Sequence, residues 1–215
     1  MFLLIKRFFA SNKYFWKFRH FFDNKIFDKS YGIIPNEYFD QIFENIKIDS
    51  VLDYGCATGD KLIFFINRGA KNVFGIDINP KAINTARDKI KYYNVNNELS
   101  ENINTDKLNK FLDISKIKKF DLIILDRILY ILNDQEIYNL FNIIKKITNY
   151  IYIDDFFLDN EIQSNNFSRL KIKGYVHTNF DKILNQNSFK LKIKNKSPYQ
   201  SVLFSNAKSA LYEKQ

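Results

Sequence analysis

The sequence predicts a doubly wound α/β fold: a mostly parallel sheet of seven strands with an antiparallel edge strand, preceded by a helical segment. Three observations predict it. From residue 48 onward, short apolar runs ending in Gly or Asp alternate with segments of helical periodicity. Such alternation builds parallel strands through right-handed crossovers, with helices on both sheet faces. The last two apolar runs are separated by only a short link, which can join only antiparallel neighbours. Finally, hydrophobic residues make up 46% of 215, enough to bury the core of one domain.

Residues 1–45 are aromatic and basic. Phe8, Phe9, Phe15, Trp16, Phe18, Phe21 and Phe22 are interleaved with Lys13, Lys17, Arg19 and His20, and helices are expected. From Pro35, Tyr38, Phe39, Ile42, Phe43 and Ile46 recur at three- and four-residue steps, a clearer helix. "SVLDYG" is the first strand, and "DKLIFFINRG" a helix stopped by Gly69. "NVFGID" is the second strand. In "NPKAINTARDKIKYYN", Asn79 caps a helix that has Pro80 at its first position, where the missing N–H costs nothing. A third strand is expected near 101–105. "FDLIILD" is the fourth, and "NDQEIYNLFNIIKKIT" is a helix with Asn133 and Glu136 at capping-box spacing. "YIYIDDF" is the fifth strand, "TNFDKILNQNSF" a helix, and "KLKIKN" and "QSVLFSN" the last two strands. The expected organisation is a helical segment over 1–46, the α/β domain over 47–207 and a tail over 208–215.

Composition bounds the function. Cys56 is the one cysteine, so no disulfide forms within the chain, which fits a reducing compartment. The net charge of +9 suits an anionic partner such as nucleic acid or a membrane surface. Yet Lys, Asn, Ile, Phe and Tyr are all abundant while Gly and Pro are scarce, and a coding bias would produce the same charge as a solvated surface. No run approaches the roughly 20 apolar residues that span a bilayer. Lys6 and Arg7 interrupt the apolar start, which lacks the order of a secretory signal, so a cytoplasmic location is expected.

Gly55 and Gly59, two of only six glycines, fall where the first strand turns into its helix. Ligands of doubly wound sheets sit at this end, and glycine lets them approach the backbone. Asp77 closes the second strand, 22 residues after Gly55, where a carboxylate can accept both hydroxyls of a ribose. An adenosine-containing ligand is indicated. Gly55-Cys56-Ala57-Thr58-Gly59-Asp60 lacks the second and third glycines of a dinucleotide loop, and no nucleoside triphosphate loop is present. Asp53 and Asp60 flank the turn. Acids there suit a cationic ligand and repel a pyrophosphate, and S-adenosylmethionine carries an ammonium and a sulfonium but no phosphate.

"VLDYGCATGD" resembles the first motif of the class I S-adenosylmethionine-dependent methyltransferases. "FGIDINPKAINTAR" is similar to their second motif, and "FDLIILDRILYIL" to their fourth-strand motif, in the family's order. The resemblance implies a Rossmann-like domain with S-adenosyl-L-methionine as cofactor. It places Asp53, Gly55, Ala57 and Gly59 against the methionine half, Asp77 on the ribose and Ile78 on the adenine. Asp106, with Asp113 as its rival, would contact the adenine amino group, and Asp126 would lie beside the methionine portion with Arg127 and Ile128. Ala57 departs from the family's middle glycine. A non-catalytic cofactor-binding Rossmann protein is the alternative.

In such chemistry the cofactor supplies the electrophile, and the protein positions the acceptor and excludes water. Weak catalytic candidates are Tyr130, His20 and His177. Asp126, Asp154 and Asp155 offer carboxylates to a divalent metal, but a hard-metal site needs more oxygen ligands, and no metal is expected. The fourth strand ends "LDRI", without the D/N-P-P-Y of amino-methylating DNA and glutamine enzymes, and no Pro-Cys pair for pyrimidine C5 chemistry exists. In the family, an N-terminal extension commonly caps the cofactor and shapes the acceptor pocket. The alternatives for this one are a membrane-surface or RNA-facing helix, or plain packing. The expected acceptor is an oxygen or nitrogen of a small molecule or glycan precursor; an RNA or protein acceptor is the alternative, and nucleic acid is not favoured.

Overall fold

The computed structural model describes residues 8–18, 36–101, 108, 112, 119–158, 169–199 and 206–215. Among them the strands are β1 (Ser50–Tyr54), β2 (Asn72–Ile76), β3 (Asn96–Ser100), β4 (Phe120–Asp126), β5 (Thr148–Asp155), β6 (Arg169–Ile172), β7 (Tyr175–Thr178), β8 (Phe189–Lys196) and β9 (Lys208–Lys214). The helices are α1 (Lys13–Phe18), α2 (Asn36–Phe43), α3 (Asp60–Asn67), α4 (Pro80–Ile90), α5 (Asp134–Ile147) and α6 (Phe180–Asn185). Seven strands form one sheet in the order β3-β2-β1-β4-β5-β9-β8. β9 is antiparallel to both neighbours, and every other pair is parallel. The order reverses between β1 and β4, so their carboxyl ends flank the crevice where ligands bind in such sheets.

Burial explains the strand sequences. Central strands are covered on both faces, so Val51–Tyr54, Val73–Ile76 and Leu122–Asp126 are buried without alternation. One face is packed by α2, α3 and α4 through Phe39, Phe43, Leu62, Phe65 and Ile83. The other is packed by α5 and α6 through Ile137, Leu140, Ile144, Phe180 and Leu184. The capping box of α5 is formed: Asn133 accepts from the Glu136 N–H, and Glu136 accepts from the Asn133 N–H. Among the described residues no helix is long and apolar enough to cross a membrane.

Three expectations are corrected. The third strand is Asn96–Ser100, ahead of the predicted 101–105. It is an edge strand with Leu99 as its one buried residue, so it carries almost no apolar signal. The predicted tail at 208–215 is instead strand β9, inserted between β5 and β8 with Ser209–Tyr212 buried. Lys208, Glu213 and Lys214 disguise it as a polar terminus, while the "QSVLFSN" run lies almost wholly outside the described residues. The 1–46 segment divides rather than acting as one piece. The apolar stripe of α2 packs on the sheet face, where Phe39 meets Phe64 and Tyr152, whereas residues 8–18 lie against the carboxyl ends of the strands.

An unpredicted hairpin, β6–β7, completes the fold. Its two-residue turn, Lys173-Gly174, has positive φ at both positions, which matches the right-handed twist of the strands. Arg169 ties the hairpin to the turn after β4 by donating to the Leu132 carbonyl at 2.8 Å and pairing with Asp134.

Candidate functional site

The loop after β1 is built on backbone geometry. Gly55 and Cys56 both donate their N–H groups to the Ile76 carbonyl, at 2.7 and 2.9 Å, which pins the loop to β2. Gly59 is the residue before α3 and holds φ +76°. A Cβ there would stand 2.9 Å from the Ala86 Cβ, so a side chain meets both strain and a packed helix. Ala57 also has positive φ, +46°, and accepts a strain that glycine would not feel. Its N–H donates to Asp77 Oδ2 at 2.8 Å, and the Asn79 N–H donates to Oδ1 at 2.8 Å. Asp77 is thereby oriented at the loop, and burial, opposed by those two N–H groups, pushes its carboxyl up. Asn79 caps α4 through the Ala82 N–H, and its amide donates to the Trp16 carbonyl at 3.0 Å. Asp60 is held outward by Lys89.

Beneath the loop lies a buried charge cluster. Asp53 is wholly buried, and neither carboxylate oxygen has a hydrogen-bond partner among the described residues. Lys61, in the first turn of α3, places its ammonium 3.6 Å from Asp53 and 3.0 Å from Asp126. Asp126 also accepts from Arg127 Nε at 2.8 Å and from the Tyr199 hydroxyl at 2.7 Å. The Arg127 guanidinium lies 3.7 Å over the Tyr199 ring. Burial pushes Asp53 up to about 7, with Lys61 opposing. Burial acts in the same sense on Asp126, but Arg127 and Lys61 outweigh it and hold that carboxyl below the usual range.

Two more acids close β5. Asp155 accepts the N–H groups of Leu129, Tyr130 and Phe156, which fixes the turn after β4. Burial nevertheless pushes it up to about 7. Asp154 accepts from the Ser197 hydroxyl at 2.9 Å. Above them is an aromatic cluster: Tyr130 stands edge-on to Phe156 and Tyr175, which stack at 4.3 Å. Ala10, Phe15, Trp16 and Ala207 pack on it. Lys13 binds Glu136 at the start of α5 at 2.5 Å.

Asp53, Gly55, Ala57, Gly59 and Asp77 thus stand together at one loop, and Ile78 follows Asp77, half-buried against the core. Asp126 reaches the same end of the sheet, but its carboxylate is engaged by Lys61, Arg127 and Tyr199. Asp106, Asp113 and His20 lie outside the described residues. Tyr130 is a packed member of the aromatic cluster. His177 sits on β7 with Nδ1 3.2 Å from the Phe157 carbonyl, in ring contact with Phe156. Sequence reasoning missed Lys61, Tyr199 and Ser197. A lysine inside the apolar helix "DKLIFFIN" was a readable signal for the first; the other two carry none.

The geometry fits the expected cofactor. A buried carboxylate without a hydrogen-bond donor suits an incoming ammonium, and the oriented Asp77 suits a ribose. A family model described as a methyltransferase domain matches residues 46–200. An S-adenosylmethionine-dependent methyltransferase from Clostridium acetobutylicum superposes with a TM-score of 0.60 at 17% identity, covering 92% of this chain and 98% of that one. Magnesium protoporphyrin IX methyltransferase from Synechocystis, solved with bound SAH, gives 0.59 at 17% identity over 83% and 80%. At such identities the likeness shows the fold alone. Ribosomal protein L11 methyltransferases match over shorter stretches. That of Laribacter hongkongensis is 52% identical over 40 residues, 19% of this chain and 14% of the relative. That of Haemophilus influenzae is 38% identical over 72 residues, 34% and 21%. The chain therefore matches only about a fifth or less of the length of these curated relatives. With the domain match spanning most of the chain, the glycine loop between Asp53 and Asp77, and the fold in agreement, the chain belongs to the class I S-adenosylmethionine-dependent methyltransferases.

Proposed function

We propose that the chain transfers the methyl group of S-adenosylmethionine to an oxygen or nitrogen of a small molecule or glycan precursor. The cofactor supplies a methyl already activated on a sulfonium. The chain's own residues bind and orient. Asp77 receives the ribose hydroxyls, Asp53 the amino-acid ammonium, and the amides of the Gly55–Gly59 loop face the ligand closely. Ile78 packs on the adenine, and Asp106 meets its amino group.

The observation that carries the small-acceptor reading is the aromatic roof. Residues 8–18 bring Ala10, Phe15 and Trp16 onto Tyr130, Phe156 and Tyr175 at the carboxyl ends of β4 and β5. Such a roof narrows access and excludes water, which suits a small acceptor better than a folded macromolecule. His177 and Tyr130 line this end of the molecule. A protein acceptor is the second reading, favoured by the short matches to ribosomal protein L11 methyltransferases.

The test is label transfer from methyl-labelled cofactor into cell extract separated by size. Label in the low-mass fraction supports the proposal. Label in protein or RNA, stable to washing at high salt, replaces it with the corresponding macromolecular acceptor. Cofactor binding without label in any fraction identifies a non-catalytic binding protein.

A further inference from the structure

Lys61 is the least expected side chain at this site. It is the second residue of a helix whose next five residues are apolar, its side chain is buried, and it points at two acids rather than at solvent. A buried ammonium is tolerated only when paired. Asp126 alone would pair it, yet Asp126 already has Arg127 and the Tyr199 hydroxyl. Asp53 has no other cation near it among the described residues, and Lys61 stands 3.6 Å away, close enough for charge attraction but beyond a hydrogen bond.

We propose that Lys61 is a resident counter-ion of the cofactor site: its ammonium faces Asp53 and favours the carboxylate form in the free protein, cedes it to the cofactor's ammonium on binding, and remains on Asp126. This rests on Asp53 receiving the cofactor, as argued above. Lys61 acts through Asp53 and is a positioning residue. The groups that bear on Asp53 are Lys61 from α3, Asp126 from β4, Asp77 from the end of β2 and the Cys56 thiol of the loop. Asp126 and Asp77 oppose its ionisation, and Lys61 alone among them favours it. Asp126 in turn faces Arg127, Tyr199 and Asp154. Without Lys61, Asp53 would hold its proton to higher pH, and a cationic ligand would first have to displace that proton. The cost would be large where Asp53 is protonated and would fade as pH rises through its ionisation.

The experiment is calorimetric titration of the full chain with S-adenosylmethionine between pH 6 and 8, for the wild type, Lys61→Met and Lys61→Arg. Lys61→Met is expected to bind about tenfold more weakly at pH 6 and only about twofold more weakly at pH 8, with Lys61→Arg within about twofold of the wild type throughout. The same fold-loss at every pH, or no loss, overturns the inference, because a merely structural lysine would not change the pH profile. If Lys61→Met does not fold, the wild type still decides. At pH 6.5 the ligand's amine is already charged, and titrations in two buffers of different ionisation enthalpy must show proton release on binding. No release overturns the inference. Wild-type protein that fails to bind S-adenosylmethionine at any pH overturns instead the function on which the inference rests.

Discussion

The two halves of the sheet's carboxyl edge are built in opposite ways. On the β1–β2 side the bonds that shape the loop are short-range, although Asn79 also reaches Trp16 and Lys61 reaches Asp126. The Ala57 amide meets a carboxylate 20 residues on, and the Asn79 amide meets the same carboxylate from 2 residues away. On the β4–β5 side the contacts are remote. Tyr199 reaches Asp126 across 73 positions, Lys13 reaches Glu136 across 123, and Arg169 reaches Leu132 across 37. The first half is backbone shaped by glycines and one acid, and it serves a ligand of constant shape. The second is a set of side chains recruited from distant segments. Under the proposed function, cofactor recognition and acceptor choice would therefore rest on different physical supports.

Four experiments sharpen or break that contrast. The largest effect is expected from Gly59→Val. It forces a β-branched residue to φ +76° and drives its Cβ towards Ala86, at a cost of about 3 kcal/mol or more. Thermal denaturation checks it, and a small change would show that the loop is not set by this residue. Next, Asp77→Ala should weaken cofactor binding by about 1.5–3 kcal/mol, read by calorimetry, through loss of charge-assisted hydrogen bonds. Unchanged affinity would remove Asp77 from the site.

The third concerns pH. Asp53 and Asp155 are each pushed up to about 7 by burial, so the native chain holds protons that the unfolded chain releases above about pH 4. Between about pH 4 and 7 these two groups make stability fall as pH rises. Asp126, held low, acts in the opposite sense, and its contribution is lost only as pH falls below the ordinary carboxylate range. Melting curves of the ligand-free chain against those of Asp53→Asn check it, the variant having the shallower slope. The smallest effect is Tyr199→Phe. It removes one donor from Asp126 and should cost about 1 kcal/mol of stability while leaving cofactor affinity within about twofold. A loss of affinity as large as that of Asp77→Ala would erase the separation between the halves.

The strand–helix alternation, the Asn79 and Asn133 caps and the acid–glycine–acid loop were legible in the sequence because each is a short-range pattern read by backbone physics. Strand β3 was displaced in that reading because an edge strand needs little apolar surface. Strand β9 was taken for a tail because its charged ends mask four buried residues. Lys61 went unread: its apolar helix marks it as unusual, but nothing in its neighbours announces that Asp53 and Asp126 converge on it.

By itself, the sequence determined the doubly wound alternation and the cofactor loop, whose residues and hydrogen-bond partners all lie within one strand–helix–strand–helix stretch. Only the tertiary structure decided that Lys61 faces inward, that Tyr199 and Ser197 return to the ends of β4 and β5, and that residues 8–18 roof the carboxyl edge. Those placements depend on which surfaces are buried together when the sheet closes, and burial of charge beside charge is a property of the assembled core rather than of any stretch of chain.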